Sequence, residues 1–403
     1  MTDAAETYFD HAASAPLRPG ARDAIVRALD LGPGNAGSSH AAGRRLRCVL
    51  EDAREAVAGL VGARPEQVVF TSGTTESNRL ALRGLLGTPG SGRGVLVTTT
   101  AAHDGLRALA LALAGEGVTV RTAVAGPAGH VAAADVVALA GDLPAVVALP
   151  LVESVTGARQ PVEGVTRELP AARVHVDAAQ AVARLPVSFR DLGAATLAFS
   201  AHKLGGPQGI GALVIRDDGL LHAPDGASSQ ERGRRAGTEA VALAAGFGAA
   251  AAAVRDELRR PGDGYEALLA PLRAFAAETP GAEVVTAPPA VPGVLLVRFA
   301  NCPGDALLAA LDARGVRVST GTACASGARL PPHVLTAAGR PARDAAECVR
   351  VSVGWSSTEG EVRRLLRELR ELLPHLRTAL AGCDLGGEKK LSRSSAPTQG
   401  PSP

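Results

Sequence analysis

Lys203 is the only lysine in the first 388 residues of a 403-residue chain that carries 42 basic side chains; Lys389 and Lys390 follow in a polar tail. Arginine has taken nearly every other cationic position, so a lysine kept in the body points to chemistry that guanidinium cannot do. A lysine amine loses its proton when partly desolvated and attacks a carbonyl to form a Schiff base, whereas arginine stays charged. The alternative is a surface lysine without a role, and the setting FSAHKLGGPQGIGAL (199–213) argues against it. Asp177 lies twenty-six residues upstream, at the end of the apolar run that opens VHVDAAQA (174–181), with Gln180 three residues on. A carboxylate at a strand end near such a lysine suits the ring nitrogen of pyridoxal phosphate, because its charge keeps that nitrogen protonated and the ring electron-withdrawing. Alone, Asp177 reads more readily as a helix N-cap. Paired with Lys203, the cofactor reading is the better one.

Other segments add candidate groups, each with a plainer alternative. FTSGTTESN (70–78) follows a strand and precedes a helix, so Thr74 and Thr75 offer amides and hydroxyls to a phosphate at a helix N-terminus, or simply form a turn. Ser200 and His202 are further donors for the same phosphate. His103 opens a helix after a strand and is either a cap or packing residue, or an imidazole that stacks on a cofactor ring and shuttles protons. Arg350, in CVRVSVGW (348–355), is either an exposed strand arginine or a fork for a substrate carboxylate. Thr238 in QERGRRAGTE (230–239) caps the following helix or binds a phosphate. Cys324 sits in VSTGTACASGARLPPH (318–333), a run of small and turn residues that reads as an accessible loop, the setting in which a thiol can act as a nucleophile. Cys48 and Cys348 fall in helical and strand patterns and read as core thiols. Cys302 and Cys383 have no supporting groups nearby in sequence. Five cysteines without a CxxC pair fit neither a disulfide framework nor a zinc site.

These groups need a scaffold. Short valine-rich runs at 68–70, 94–99, 118–122, 145–150, 174–177, 197–200 and 211–216 alternate with helical stretches such as 76–86, 103–114 and 132–140, which reads as an α/β fold around a mostly parallel sheet with ligands at the strand ends. A long alanine-rich helix over 238–258 is broken by PGDG (261–264). The pattern then changes to a helix at 264–278, strands at 283–285 and 294–299, a helix at 304–314, strands at 316–318 and 348–353, and a helix at 359–380. The expected organisation is an N-terminal segment (1–20), a large cofactor-binding domain (21–260), a smaller α+β domain carrying the cysteine loop (261–383) and a disordered polar tail (384–403). A net charge of +2 and 2% aromatic residues give no reason to expect a nucleic-acid or anionic membrane partner. No apolar run reaches the roughly 18 residues of a membrane span, and MTDAAETYFDHAASAP lacks the features of a signal peptide, so a cytoplasmic protein is expected.

Taken together, the segments YFDHAASAP (8–16), GNAGSSH (34–40), FTSGTTESN, VHVDAAQA, FSAHK, QERGRRAGTE, TACASG (322–327) and VRVSVGW (349–355) resemble, in this order, the cysteine desulfurases. These are pyridoxal-phosphate enzymes of the class V aminotransferase group with the aspartate aminotransferase fold, and the resemblance covers nearly everything except the tail. The long loop around Cys324 is similar to that of the subgroup whose cysteine rides on a flexible loop. The resemblance implies that Lys203 carries the cofactor, Asp177 pairs with its ring nitrogen, Gln180 bonds its ring hydroxyl and His103 stacks on the ring. It assigns Thr75, Ser200 and His202 to the phosphate. Thr238 matches a threonine that completes the phosphate site of the neighbouring subunit, which implies a homodimer. Arg350 would hold the carboxylate of L-cysteine. Cys324 would take its sulfur as a persulfide, release L-alanine and hand the sulfur to an acceptor protein, in iron–sulfur cluster assembly or in thiolation of tRNA or other targets.

Two departures stand out. Where the family has Asn-Asn-Glu, this chain has LVESVTGARQP (151–161), with Ser154 in place of an asparagine that contacts the cofactor ring. The glycine triplet before QERG is replaced by Ala227, Ser228 and Ser229. Selenocysteine lyases and other class V enzymes, such as aminotransferases or epimerases, would share Lys203 and Asp177 without the same need for Cys324. A non-catalytic scaffold that kept the fold is the alternative of a different kind.

Overall fold

The computed structural model describes residues 6–87, 94–141, 145–170, 172–217, 230–260, 264–321 and 331–384; Cys324, residues 227–229 and the tail after Asp384 lie outside them. After a two-residue strand, β1 (Thr7–Tyr8), the branched apolar runs form β2 (Val68–Thr71), β3 (Val95–Thr99), β4 (Thr119–Ala123), β5 (Ala145–Pro150), β6 (Arg173–Asp177), β7 (Thr196–Ser200) and β8 (Gly211–Ile215), each within one residue of its expected ends. They build one seven-stranded sheet in the order β2-β8-β7-β6-β5-β3-β4. All neighbours are parallel except β8, which runs antiparallel to both β2 and β7. Strands β3, β5 and β7 are buried along their whole length, which is why they read as continuous apolar runs rather than as alternating ones.

Helices cover the sheet: α1 (Pro19–Leu29), α2 (Ala41–Leu60), α3 (Thr74–Leu86), α4 (Asp104–Gly115), α5 (Ala133–Ala140), α6 (Val162–Glu168), α7 (Phe189–Leu192) and α8 (Val241–Leu258). Helix α8 is made mostly of alanine and glycine and packs against both α1 and α2. Aromatic mass is concentrated beneath it, where three of the seven phenylalanines, Phe70, Phe199 and Phe247, meet with ring centroids 5.7 and 6.1 Å apart. Each fully buried ring of this kind contributes roughly 1.5–3 kcal/mol by removal from water.

The remaining elements are α9 (Gly264–Glu278), β9 (Ala282–Val284), β10 (Val294–Phe299), α10 (Gly304–Ala313), β11 (Val316–Arg317), α11 (His333–Ala337), α12 (Ala342–Ala346), β12 (Cys348–Ser352) and α13 (Glu359–Asp384). Strands β12, β10 and β9 form an antiparallel sheet with its own core, which includes Leu269, Phe275, Leu295, Phe299, Leu365 and Leu369. Phe9 is buried in this second core, while β1 pairs in parallel with β11. Arg184 ties the two parts together, donating from Nη1 to the carbonyls of Gly293 and Val353. Among the described residues, no helix is long and apolar enough to cross a membrane.

Candidate active site

Register brings the lysine and the aspartate together. Asp177 ends β6 and pairs with Ala198 of the parallel neighbour β7, whose last residue, Ser200, leads into a single 3-10 turn, Ala201–Lys203. A separation of twenty-six residues in sequence thus collapses to adjacent strand ends. The turn is clasped from outside by the N-terminal segment. Ala15 N donates to His202 O (2.9 Å), Arg18 N to Gly205 O (2.8 Å) and Arg18 Nε to Leu204 O (2.8 Å). Arg18 is fixed in turn by Glu257, with Nη2 to Oε2 at 2.8 Å.

Lys203 faces a cavity of about 850 Å³ whose walls also include Asp10, Thr74, Thr75, His103, Ser154, Asp177, Gln180, Ser200, His202 and Arg350. Ten of the eleven expected site residues that the structure describes therefore share one space. Desolvation inside it lowers the Lys203 amine from 10.5 to about 8; Asp177 and Asp10 pull upward by less, and Arg350 and Arg184 push further down. A lysine in this state has a substantial unprotonated fraction near neutral pH, as carbonyl attack requires.

The Asp177 carboxylate accepts at Oδ2 from Asn78 Nδ2 (2.9 Å) and at Oδ1 from Ala179 N (3.1 Å). Gln180 is buried, and its Nε2 donates to Ala12 O (2.9 Å). His103 is the helix cap that its position allowed, and it also lines the cavity. Its Nδ1 accepts from Gly105 N (3.1 Å) as the N-cap of α4, and its ring reaches the cavity, where partial desolvation and the charge of Lys203 lower its pKa.

At the other end of the cavity, the hydroxyls of Thr74 and Ser200 are buried with no hydrogen-bond partner among the described residues. Buried hydroxyls are rarely left so, and both open on the N-terminus of α3, whose N-cap residue, Gly73, has no side chain to satisfy the first turn. Gly73 has φ 156° and ψ −180°, a region essentially reserved for glycine. The loop lies so close to the sheet end that a Cβ on Gly211 would stand 2.7 Å from Gly73 Cα. His202 shares a hydrogen bond with Ser14 Oγ (3.2 Å), and burial lowers its pKa to about 4. Orphaned hydroxyls at a helix N-terminus, an amine and a carboxylate in the wall of one cavity fit a phosphorylated pyridine aldehyde such as pyridoxal phosphate.

Arg350 is not the exposed strand arginine of the plainer reading. It is 4% exposed, donates from Nη1 to Ser154 O (2.7 Å) and pairs through Nη2 with Asp10 Oδ1 (2.7 Å), while its buried Nε has no partner among the described residues. A guanidinium with donors to spare in a cavity wall is suited to a carboxylate. The Ser154 hydroxyl lies 3.4 Å from Glu153 Oε1. Glu153 accepts from Val155 N, Thr156 N and Thr156 Oγ1, and burial raises its pKa. The altered loop is thus anchored by its own glutamate. Asp10, Asn78 and Glu153 were not singled out from sequence; Asn78 offered the one usable signal, as the last residue of FTSGTTESN on the first turns of α3.

Thr238 is exposed and does not line this cavity. The residues flanking the Cys324 loop on both sides, Ser319 to Gly321 and Pro332 to Val334, do line it. Cys302 and Cys348 are buried, and desolvation pushes their thiols up to about 11 and about 12, which makes them poor nucleophiles. The expectation that Cys48 is a core thiol is corrected: it is exposed, because α2 buries the stripe Leu46, Leu50, Ala53 and Val57, on the other side of the helix.

Residues 7–365 match the family model described as aminotransferase class-V. The chain is 35% identical to an IscS-like cysteine desulfurase of Mycobacterium tuberculosis, over 92% of this chain and 97% of that one. It is 32% identical to a selenocysteine lyase of Bos taurus, over 92% and 94%. Among solved structures it superposes on a NifS-like protein with a TM-score of 0.85 at 30% identity, covering 92% of this chain and 100% of the other.

Proposed function

The chain belongs to the class V aminotransferase family and, within it, to the cysteine desulfurases, and on that premise we propose that it moves the sulfur of L-cysteine onto Cys324 and from there to an acceptor protein. It is an enzyme of the pyridoxal-phosphate-dependent kind. The bound cofactor supplies a carbonyl for the substrate amine and a ring that withdraws electrons from the α-carbon.

The residues divide the work by position. Lys203 would hold the cofactor, and as an amine of lowered pKa it would be the base for the substrate α-proton. Asp177 would pair with the ring nitrogen, Gln180 would bond the ring hydroxyl, and His103 would stack on the ring. Ser154, with its short side chain and its contact with Glu153, would have less reach towards the ring than an asparagine has. Thr74, Thr75, Ser200 and His202 would hold the phosphate. Thr238, exposed in the single chain, completes the phosphate site of a second copy, so the working unit is a homodimer. Arg350, with its unpaired Nε, takes the substrate carboxylate.

The Cys324 thiolate then attacks the substrate sulfur. An S–S bond forms on Cys324, the carbon–sulfur bond breaks with its electron pair left on the carbon skeleton, and protonation there yields L-alanine. The acceptor is a scaffold for iron–sulfur clusters or a thiolating enzyme, and the reaction takes place in the cytoplasm, where thiols stay reduced. The proposed division into domains has residues 21–260 binding the cofactor, 261–383 carrying the cysteine loop, 1–20 packing with the smaller domain and 384–403 as a tail.

One observation carries the proposal: Lys203, Asp177, the orphaned hydroxyls of Thr74 and Ser200, and Arg350 converge on one cavity. Replacing Cys324 by alanine is the test. The variant is expected to bind the cofactor with unchanged colour and to produce no sulfide, persulfide or alanine from L-cysteine. Sulfide release at the normal rate would overturn the desulfurase reading, and selenide release from selenocysteine with equal efficiency would favour a lyase.

A further inference from the structure

Behind Asp177 runs a line of buried polar groups to which the sequence assigned no function. Asn78 Nδ2 is 2.9 Å from Asp177 Oδ2, Asn78 Oδ1 is 2.9 Å from His175 Nε2, and His175 Nδ1 is 2.8 Å from Thr196 Oγ1. The exposures of His175, Thr196 and Asn78 are 0%, 0% and 4%, so solvent does not complete any of these bonds. The groups come from three different elements, β6, β7 and α3.

The donors and acceptors in such a line must all point the same way, and Asp177 sets which way. A carboxylate only accepts, so the Asn78 amide must turn its NH₂ towards Asp177 and its oxygen away. That oxygen in turn needs a donor, so His175 carries its proton on Nε2. Its Nδ1 is then an acceptor, for the Thr196 hydroxyl. The reverse line is equally continuous but requires Asp177 to be protonated: the carboxylic acid donates to Asn78 Oδ1, Asn78 donates to Nε2, and His175 carries its proton on Nδ1. The bond from Ala179 N to Asp177 Oδ1 favours the first arrangement, because it stabilises a charged carboxylate.

We infer that Thr196, His175 and Asn78 form a directional relay that holds Asp177 as a carboxylate with its remaining lone pairs turned to the cavity, and that the tautomer of His175 reports the charge on Asp177. These are positioning residues, since none of the three is assigned to the reacting atoms. The inference rests on the reading of Asp177 as the partner of the cofactor's ring nitrogen. Burial lowers the pKa of His175 to about 4, so its ring stays neutral and can serve as a one-way link at working pH.

The relay is tested on the protein labelled with ¹⁵N at histidine, before and after loading with pyridoxal phosphate, the His175 signal being identified by its loss in His175→Gln. The expected result is a neutral ring protonated on Nε2 in both states at pH 7. A ring protonated on Nδ1, or an imidazolium, overturns the inference. A second measurement uses His175→Leu, which removes the donor to Asn78. Its dissociation constant for pyridoxal phosphate is expected to rise about tenfold, with a shift in the pH titration of the cofactor's visible band, whereas His175→Gln, whose amide can still donate and accept, stays within about threefold of the parent. Equal affinity and an equal titration in the leucine variant also overturn it. If the parent protein binds no pyridoxal phosphate, the cofactor reading fails on its own, and the tautomer still decides whether the relay exists.

Discussion

The lowered pKa of Lys203 can be measured without turnover, because the chain provides a clean readout. An amine with a pKa of 10.5 is about 0.3% unprotonated at pH 8, whereas one at about 8 is half unprotonated, so Lys203 should present roughly 150 times more nucleophile than an ordinary lysine at that pH. A brief pulse of acetic anhydride on the cofactor-free protein, repeated from pH 6 to pH 11, should label Lys203 with a midpoint near pH 8. Trypsin cuts the unmodified chain after Lys203 but leaves the acetylated segment 191–216 whole, because Arg190 and Arg216 bound it and no other basic cleavage site lies between. The neighbours give the signs of two further shifts. Arg350→Met removes a positive charge that lowers the pKa and should move the midpoint up, and Asp177→Asn removes the negative charge that raises it and should move it down. Half-maximal labelling above pH 10 in the folded protein would refute the argument from burial. Shifts of the opposite sign in the two variants would refute the assignment of the neighbours.

Two predictions concern stability. Glu231 of the QERG segment is buried, accepts from both Nη groups of Arg54 (2.7 and 2.9 Å) and also accepts from Phe70 N (3.0 Å), so Glu231→Gln should cost about 3 kcal/mol by leaving the buried Arg54 charge with only the half-exposed Glu51 as counter-ion. Urea unfolding measures this, and a loss below about 1 kcal/mol would mean that the pair is not desolvated as described. A Cβ on Gly354 would stand 2.1 Å from His11 Nδ1, so Gly354→Ala should lower the melting temperature through overpacking of about 1–3 kcal/mol, and an unchanged transition in calorimetry would contradict the close approach.

The strands that carry the site were legible because buried parallel strands are written as uninterrupted runs of valine, alanine and leucine, and because Lys203 and Asp177 stand at the ends of two of them. Helix α1 was not named from sequence, and α2 was read only as a helical pattern around Cys48 without bounds. Helix α1 buries only Ala21 and Ala28, and the buried stripe of α2 is built partly from glycine and alanine, residues that mark a core face weakly. The beginning of α3 was expected two residues late, since Thr74 and Thr75 are poor helix formers that become helical only because Gly73 turns the chain into a first turn fixed by the loop. Side-chain partners were the least legible. Arg350 with Asp10, Asn78 with Asp177, and Glu153 with its own loop all depend on where separate strands end, and spacing in one chain does not encode that.

The clasp of residues 15 and 18 on the lysine turn also has a consequence for the order in which the protein becomes competent. The same segment pairs through Thr7 with Val316 and through Asp10 with Ser352, so its native partners emerge on the order of 300 residues after it has been made. At ribosomal speeds of about 5–20 residues per second, the N-terminal segment waits roughly 15–60 s for them. The central sheet can assemble during that interval from contacts closer in sequence. The carbonyls of His202, Leu204 and Gly205 are fastened only when the segment docks, so the turn that presents Lys203 is among the last parts of the molecule to be locked.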